Sequence, residues 1–122
     1  MGDGRIRNGS LRLPIAWLCD ASGDFSVELA NYQGYNIESV QTIPGLNGDR
    51  ATTVPSPDYD VVFNDEYSFD IMEGNLADQS ESVAATIYAD PPVPVPGVIT
   101  IVISNAGNAK TGLIVIMLKQ KR

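Results

Sequence analysis

The densest run of chemically capable side chains is "DYDVVFNDEYSFDIMEG", which holds Asp58, Asp60, Asp65, Glu66, Asp70 and Glu73. Carboxylates at this density invite two chemistries, a calcium site or an acid–base pair acting on a sugar. Calcium needs several oxygens converging on one loop, and a calcium hand would carry Asp-x-Asn/Asp-x-Asn/Asp-Gly with a Glu at loop position twelve. The spacing does not supply that pattern. Strand periodicity puts Asp58 and Asp60 on one side of a strand, makes Asp65 and Glu66 turn residues, and points Asp70 and Glu73 to opposite faces. Solvated strand edges and turns are the expectation, with no metal ligand assigned. Glycoside cleavage needs two acids at a set separation, one of them raised by burial, and no pair is marked out for that.

Other catalytic classes fare no better. The chain has no histidine, and its only lysines are Lys110, Lys119 and Lys121, so no base stands beside a Ser or Cys nucleophile. "GLNGDR" lacks the Lys-Ser/Thr ending of a phosphate-binding loop and precedes no helical pattern. Neither catalytic residues nor a cofactor is therefore expected. Aromatic residues leave one binding chemistry open. Trp17, Tyr32, Tyr35, Tyr59, Tyr67 and Tyr88 could stack on sugar rings, although Trp17 sits in an apolar run and reads as core.

The elements that must position these residues follow from composition. At 122 residues, with 43% hydrophobic and 19% charged positions and no compositional break, the chain reads as one domain over residues 1–122. Eleven Gly and eight Pro punctuate it about every ten residues, and no window carries a helical stripe. The expectation is an all-β single-domain sandwich or jelly roll of about eight short antiparallel strands. They are placed at 10–19, 25–30, 35–42, 59–63, 69–72, 83–88, 98–104 and 112–119. Pro14 makes the first an edge strand or bends it. "PGLNGDRATTVPSPD" reads as a long loop and "PPVPVPG" as an extended crossover between sheets.

Net charge is −7, which argues against nucleic acid as a partner. The charge is unevenly placed: Arg5, Arg7 and Arg12 lie near the start, Lys119, Lys121 and Arg122 at the end, and residues 51–109 hold nine acids without a cation. Basic ends on an acidic body suit docking against acidic neighbours or another copy. Residues 1–9 read as a flexible arm and 119–122 as a basic terminal segment. A single cysteine, Cys19, excludes an intrachain disulfide and reads as a small apolar core residue. The start carries no apolar signal region and the longest apolar run, Leu113 to Leu118, is too short to span a bilayer. Synthesis in the cytoplasm with no membrane partner is the expectation.

The strongest signal is "VITIVISNAGNAKTGLIVIMLKQKR", two almost wholly apolar runs around a polar loop, which reads as a hairpin. Period two puts Ile99, Ile101 and Ile103 on one face and Val98, Thr100, Val102 and Ser104 on the other; Leu113, Val115 and Met117 oppose Ile114, Ile116 and Leu118. Leaving half of eleven aliphatic side chains wet would forfeit on the order of 10 kcal/mol, comparable with the whole stability of a domain. One parity must be core and the other must be covered. Ile99, Ile101 and Ile103, undiluted by polar residues, are assigned to the core. Val98, Thr100, Val102, Ile114, Ile116 and Leu118 are assigned to an interface with other subunits, with Arg5, Arg7, Lys119, Lys121 and Arg122 as docking contacts.

A resemblance points the same way. "GSLRLPIAWLCDASGDF", "GYNIESVQTIPG", "YDVVFNDEYSFDIMEG" and "GVITIVISNAGNAKTGLIVIMLK" resemble, in strand-and-turn layout and order, small β-sandwich virion structural proteins of tailed bacteriophages. The resemblance implies a non-enzymatic, multimeric structural role in the virion: a capsid decoration or cement protein whose partners are other copies, the major capsid protein or other virion proteins. A neck, tail or fibre component, or a carbohydrate-binding sandwich module, is the alternative expectation.

Overall fold

The computed structural model describes residues 10–45 and 55–120, and these form seven antiparallel strands. They are β1 (Ser10–Leu18), β2 (Phe25–Leu29), β3 (Tyr35–Pro44), β4 (Asp60–Asn64), β5 (Ala85–Pro94), β6 (Ile99–Ser104) and β7 (Thr111–Gln120). One sheet has the order β1-β7-β3-β5 and the other β2-β6-β4. First pairs with last, second with second-last and third with third-last, as in an antiparallel ribbon. Rolling that ribbon brings β3 beside β7 and β4 beside β6, which is the jelly-roll way of making a sandwich. All-β sandwich architecture is thus what the turn spacing and apolar alternation anticipated.

Three expected elements differ. The segment 69–72 is no strand: it lies in a run of turns, and only an isolated bridge between Asn64 and Asp70 marks where a fifth strand would pair beside β4. Asp70 prevents a ladder by taking backbone N–H groups with its side chain. Only the later part of the proline segment is a crossover: Pro91 to Pro94 belong to β5, an edge strand where absent N–H donors cost least, and residues 95–98 lead from β5 to β6 in the other sheet.

Most consequential is the expected hairpin. β6 and β7 do not pair; β6 lies between β2 and β4, and β7 between β1 and β3 in the opposite sheet. Their apolar faces therefore meet across the interior. Ile99, Ile101 and Ile103 are core as expected, at 0–1% exposure. Ile114, Ile116 and Leu118 belong to the same core at 1–3% exposure, so their assignment to a subunit interface is corrected. Across β7, Ile15 pairs with Ile114, Leu13 with Ile116 and Leu11 with Leu118, which fixes the inward face of β1.

Two backbone features tune this interior. One extra residue, Glu38, sits in β3 between the Ile37↔Leu118 and Ser39↔Met117 pairs. That bulge resets the strand parity so that Ile37 and Val40 are both wholly buried. Gly112 pairs with Trp17, and a Cβ there would collide with the indole Cζ2. The ring lies directly on the glycine backbone. Trp17 in turn packs on Tyr59, with centroids 5.5 Å apart and planes tilted by 49°.

Tyr59 carries a buried hydroxyl that makes no hydrogen bond of its own. Thr42 Oγ1 spends its hydrogen on Gln79 Oε1 at 2.8 Å. Burial pushes the Tyr59 hydroxyl up to about 12, with Thr42 pulling weakly the other way. The native state thus keeps this proton at a pH where the unfolded chain loses it. Stability from this group is complete below the ordinary tyrosine range and is lost as pH rises from about 10 towards 12.

Two predictions follow from the interior. Gly112→Ala should lower stability by about 1–3 kcal/mol or more in denaturant titration and shift Trp17 fluorescence, because the indole must leave the sheet. Tyr59→Phe should leave neutral-pH stability unchanged or slightly higher and flatten the loss of stability above pH 10.

Candidate functional site

The acidic segment is built into the turns that lead out of β4. Asp65 Oδ1 accepts the N–H groups of Tyr67 at 2.8 Å and Phe69 at 3.0 Å. Asp70 Oδ1 accepts those of Phe63 and Met72 at 3.1 and 3.0 Å, and its Oδ2 that of Gly74 at 2.9 Å. Asp60 Oδ1 takes Asp78 N at 2.9 Å while Oδ2 takes Asn105 Nδ2 at 2.8 Å. In the turn between β1 and β2, Asp20 Oδ1 accepts Ser22 N and Asp24 N. These carboxylates replace ladder partners for backbone donors that would otherwise go unmet. Asp58 stands outside β4 with a positive φ of 61°, and Glu66 and Glu73 are exposed. Among the described residues no three His, Cys, Asp or Glu side chains gather as they would around a metal ion.

Cys19 is buried at 4% exposure, and burial, with Asp20 and Asp24 adding, pushes its thiol up to about 11. A thiol held protonated in this way is a poor nucleophile. The expected core reading of Cys19 agrees with its place in the hydrophobic cluster.

The residues expected at an interface separate into three places. Thr100 and Val102 are half-buried on the outer face of the β2-β6-β4 sheet, and Val98 is half-buried just before β6. Register places Val102 between Ser26 and Val62, and Thr100 between Glu28 and Asn64. Asp60 and Ser104 complete a face with only two apolar side chains, bordered by a shallow depression that Asp20 and Asp24 help to line. Ile114, Ile116 and Leu118 are interior, as described. Lys119 is exposed at the end of β7, and Ser10 pairs with it, so the chain enters β1 and leaves β7 at one end of the sheet. Arg5, Arg7, Lys121 and Arg122 lie outside the described residues.

The other parity of β7 supplies what sequence reasoning missed. Leu113, Val115 and Met117 point away from the core, paired laterally with Ala16, Pro14 and Arg12 on β1 and with Ile43, Gln41 and Ser39 on β3. Val115 is 1% exposed yet takes no part in the core cluster. Leu18 continues this surface at 60% exposure. The result is an apolar outer face centred on β1 and β7, with Arg12 and Lys119 at one end. Period two had separated the two parities of β7; only a knowledge of its neighbours could say which one looks inward.

Aromatic positions also resolve. Trp17 and Tyr59 are core, while Tyr32 and Tyr35 pack edge-on at 6.2 Å, partly buried against it. Tyr67, Phe69 and Tyr88 are exposed at 85%, 56% and 76%. Of these, Tyr88 lines a cleft, an opening of about 330 Å³ between β5 and the turns at 71–75.

Comparison with known protein families finds no matching family, and no curated protein is significantly similar to the chain. The side-chain arrangement therefore carries the functional reading.

The turn carboxylates yield the third prediction. Asp70→Ala frees three backbone N–H groups at once and should cost about 2–4 kcal/mol in denaturant titration, whereas Glu66→Ala, on an exposed turn, should change stability by less than about 0.5 kcal/mol. Addition of calcium should not restore the loss.

Proposed function

We propose that this chain is a non-enzymatic structural protein of a tailed-bacteriophage virion, a capsid decoration or cement protein that self-associates and docks on shell subunits. The observation that carries the reading is the apolar outer face of β1 and β7. Leu113, Val115 and Met117 stand there beside Pro14, Ala16 and Ile43, on the side of the sheet that faces away from the second sheet. Val115 at the centre of this face is already enclosed, but Pro14, Ala16 and Leu18 beside it are exposed and Leu113 and Met117 half-buried, and a second subunit covers them without asking a small domain for a second core. Likeness in strand layout to phage structural proteins and the jelly-roll architecture, which viral capsid domains also use, support the class of assembly by analogy.

The mechanism is mass action. A protein that binds only the assembled shell shifts the assembly equilibrium by its own binding free energy. Arg12 and Lys119 at one end of the apolar face provide a charged border that favours acidic partners.

An interface on the outward parity of β7, in place of Val98, Thr100 and Val102 and of the inward parity of β7, changes which substitutions disrupt assembly. Sedimentation at micromolar concentration should show dimers or larger species for the parent chain. Met117→Glu and Leu18→Glu should leave a β-rich fold by circular dichroism and shift the chain to monomer. Val102→Asp, on a polar face, should assemble like the parent. Co-sedimentation with capsids should fall in parallel with assembly; a parent chain that is a clean 13 kDa monomer and ignores capsids would end the proposal.

A further inference from the structure

The cleft beside β5 is made by an irregularity in strand pairing. Ser39 pairs with Tyr88 and Ile37 with Val93, so residues 89–92 loop away from β3 opposite the single residue Glu38. Peptide groups of the loop are outside the β3 ladder, and Pro91 and Pro92 contribute carbonyls without donors. The facing wall is the turn that starts at Asp70. Its form is fixed by the Asp70 side chain on Met72 N and Gly74 N, and by Asn75 N donating to Met72 O at 3.0 Å. Met72, at 2% exposure, anchors that wall in the core.

The polar groups in this cleft are uncommitted. Glu73, Asn75, Tyr88 and Asp90 line it, and none of their side chains makes a hydrogen bond among the described residues. Tyr88 stands 76% exposed although it belongs to a regular stretch of strand, held by its Ser39 pairing. Among the described residues no cation lines the cleft, which disfavours phosphate, sulfate and acidic sugars. An aromatic face beside carboxylates and one amide matches a ligand with an apolar ring face and hydroxyls at its edge. Hydroxyls donate to Glu73 and Asp90, and Asn75 both donates and accepts, a mixture that a simple cation would not use. About 330 Å³ is at the small end of ligand sites, which run from roughly 300 to 1,000 Å³.

We propose that this cleft is a binding site for a neutral carbohydrate, with one sugar ring stacked on Tyr88 and its hydroxyls held by Asp90, Glu73 and Asn75. The site is on the β5 edge, two strands from β7: Tyr88 lies in the same outward row as Ser39 and Met117, but none of Leu113, Val115 and Met117 lines the cleft. Self-association would multiply weak single-site binding through avidity.

Saturation-transfer NMR with a panel of neutral methyl glycosides and short neutral oligosaccharides tests the assignment. At least one sugar should receive magnetisation at its ring C–H protons. Tyr88→Ala should abolish the transfer, and Asp90→Ala and Glu73→Ala should each weaken binding at least tenfold. Tyr67→Ala removes an equally exposed tyrosine outside the cleft and should change nothing. Circular dichroism of each variant should match the parent, because all four side chains are at the surface. No transfer to any sugar of the panel, or transfer that survives Tyr88→Ala, overturns the proposal. Tyr88-dependent binding of spermine or an arginine-rich peptide without any sugar binding would overturn it equally, and would make the cleft a cation site.

Discussion

The rest of the structure depends on one confrontation, the isoleucine row of β6 against the Ile114, Ile116 and Leu118 row of β7. These two strands are consecutive, but they occupy the middle of opposite sheets, so each carries partners on both sides. A central strand needs its inward parity filled with large side chains, and β-branched residues do this with few rotamers to lose. Being central, both strands have the large side chains of these rows enclosed by neighbours on either side. Trp17 closes one end of this interior over Gly112, and Tyr59 packs against the indole.

Edges are a hazard in any open sandwich, and this chain treats them by different means. β1 carries Pro14 and β5 carries Pro91, Pro92 and Pro94, each removing a donor that a foreign strand would use. β4 is screened by the turns that follow it, with isolated bridges at Asn64↔Asp70 and Tyr59↔Gln79. Carboxylates hold those turns. The high acidic content of this region is therefore a structural device: oxygen acceptors stand in for the strand that a full eight-stranded roll would place there. The same device gives the β5 cleft a firm wall, which links the local loss of a strand to the possibility of binding.

Separation of surface character between the sheets bears on assembly. The outer face of β2-β6-β4 mixes Ser26, Glu28, Asp60, Asn64 and Thr100 around two valines, while that of β1 and β7 is apolar. A small domain has limited apolar residues, and here they fill one interior and one outer face. Unlike faces favour contact through the apolar one, with charge restricted to its border.

By itself the sequence determined the class of structure, because period-two alternation, turn residues every ten positions and missing helical stripes are local features. It placed six of the strands to within a few residues, the core row Ile99, Ile101 and Ile103, the buried Trp17 and Cys19, and Pro14 at an edge. Tertiary structure alone decided the partners. Two apolar runs joined by a short polar loop look the same whether they pair as a hairpin or cross between sheets, since either arrangement satisfies the alternation of each run. Parity assigns side chains to two faces but carries no sign, so Ile114 and Val115 were distinguishable while their roles were not. That sign comes from the roll of the whole ribbon, which turns the β7 row of Ile114, Ile116 and Leu118 towards β6. The bulge at Glu38 and the looped-out residues 89–92 likewise arise only from register between strands distant in sequence, and with them comes the cleft beside Tyr88.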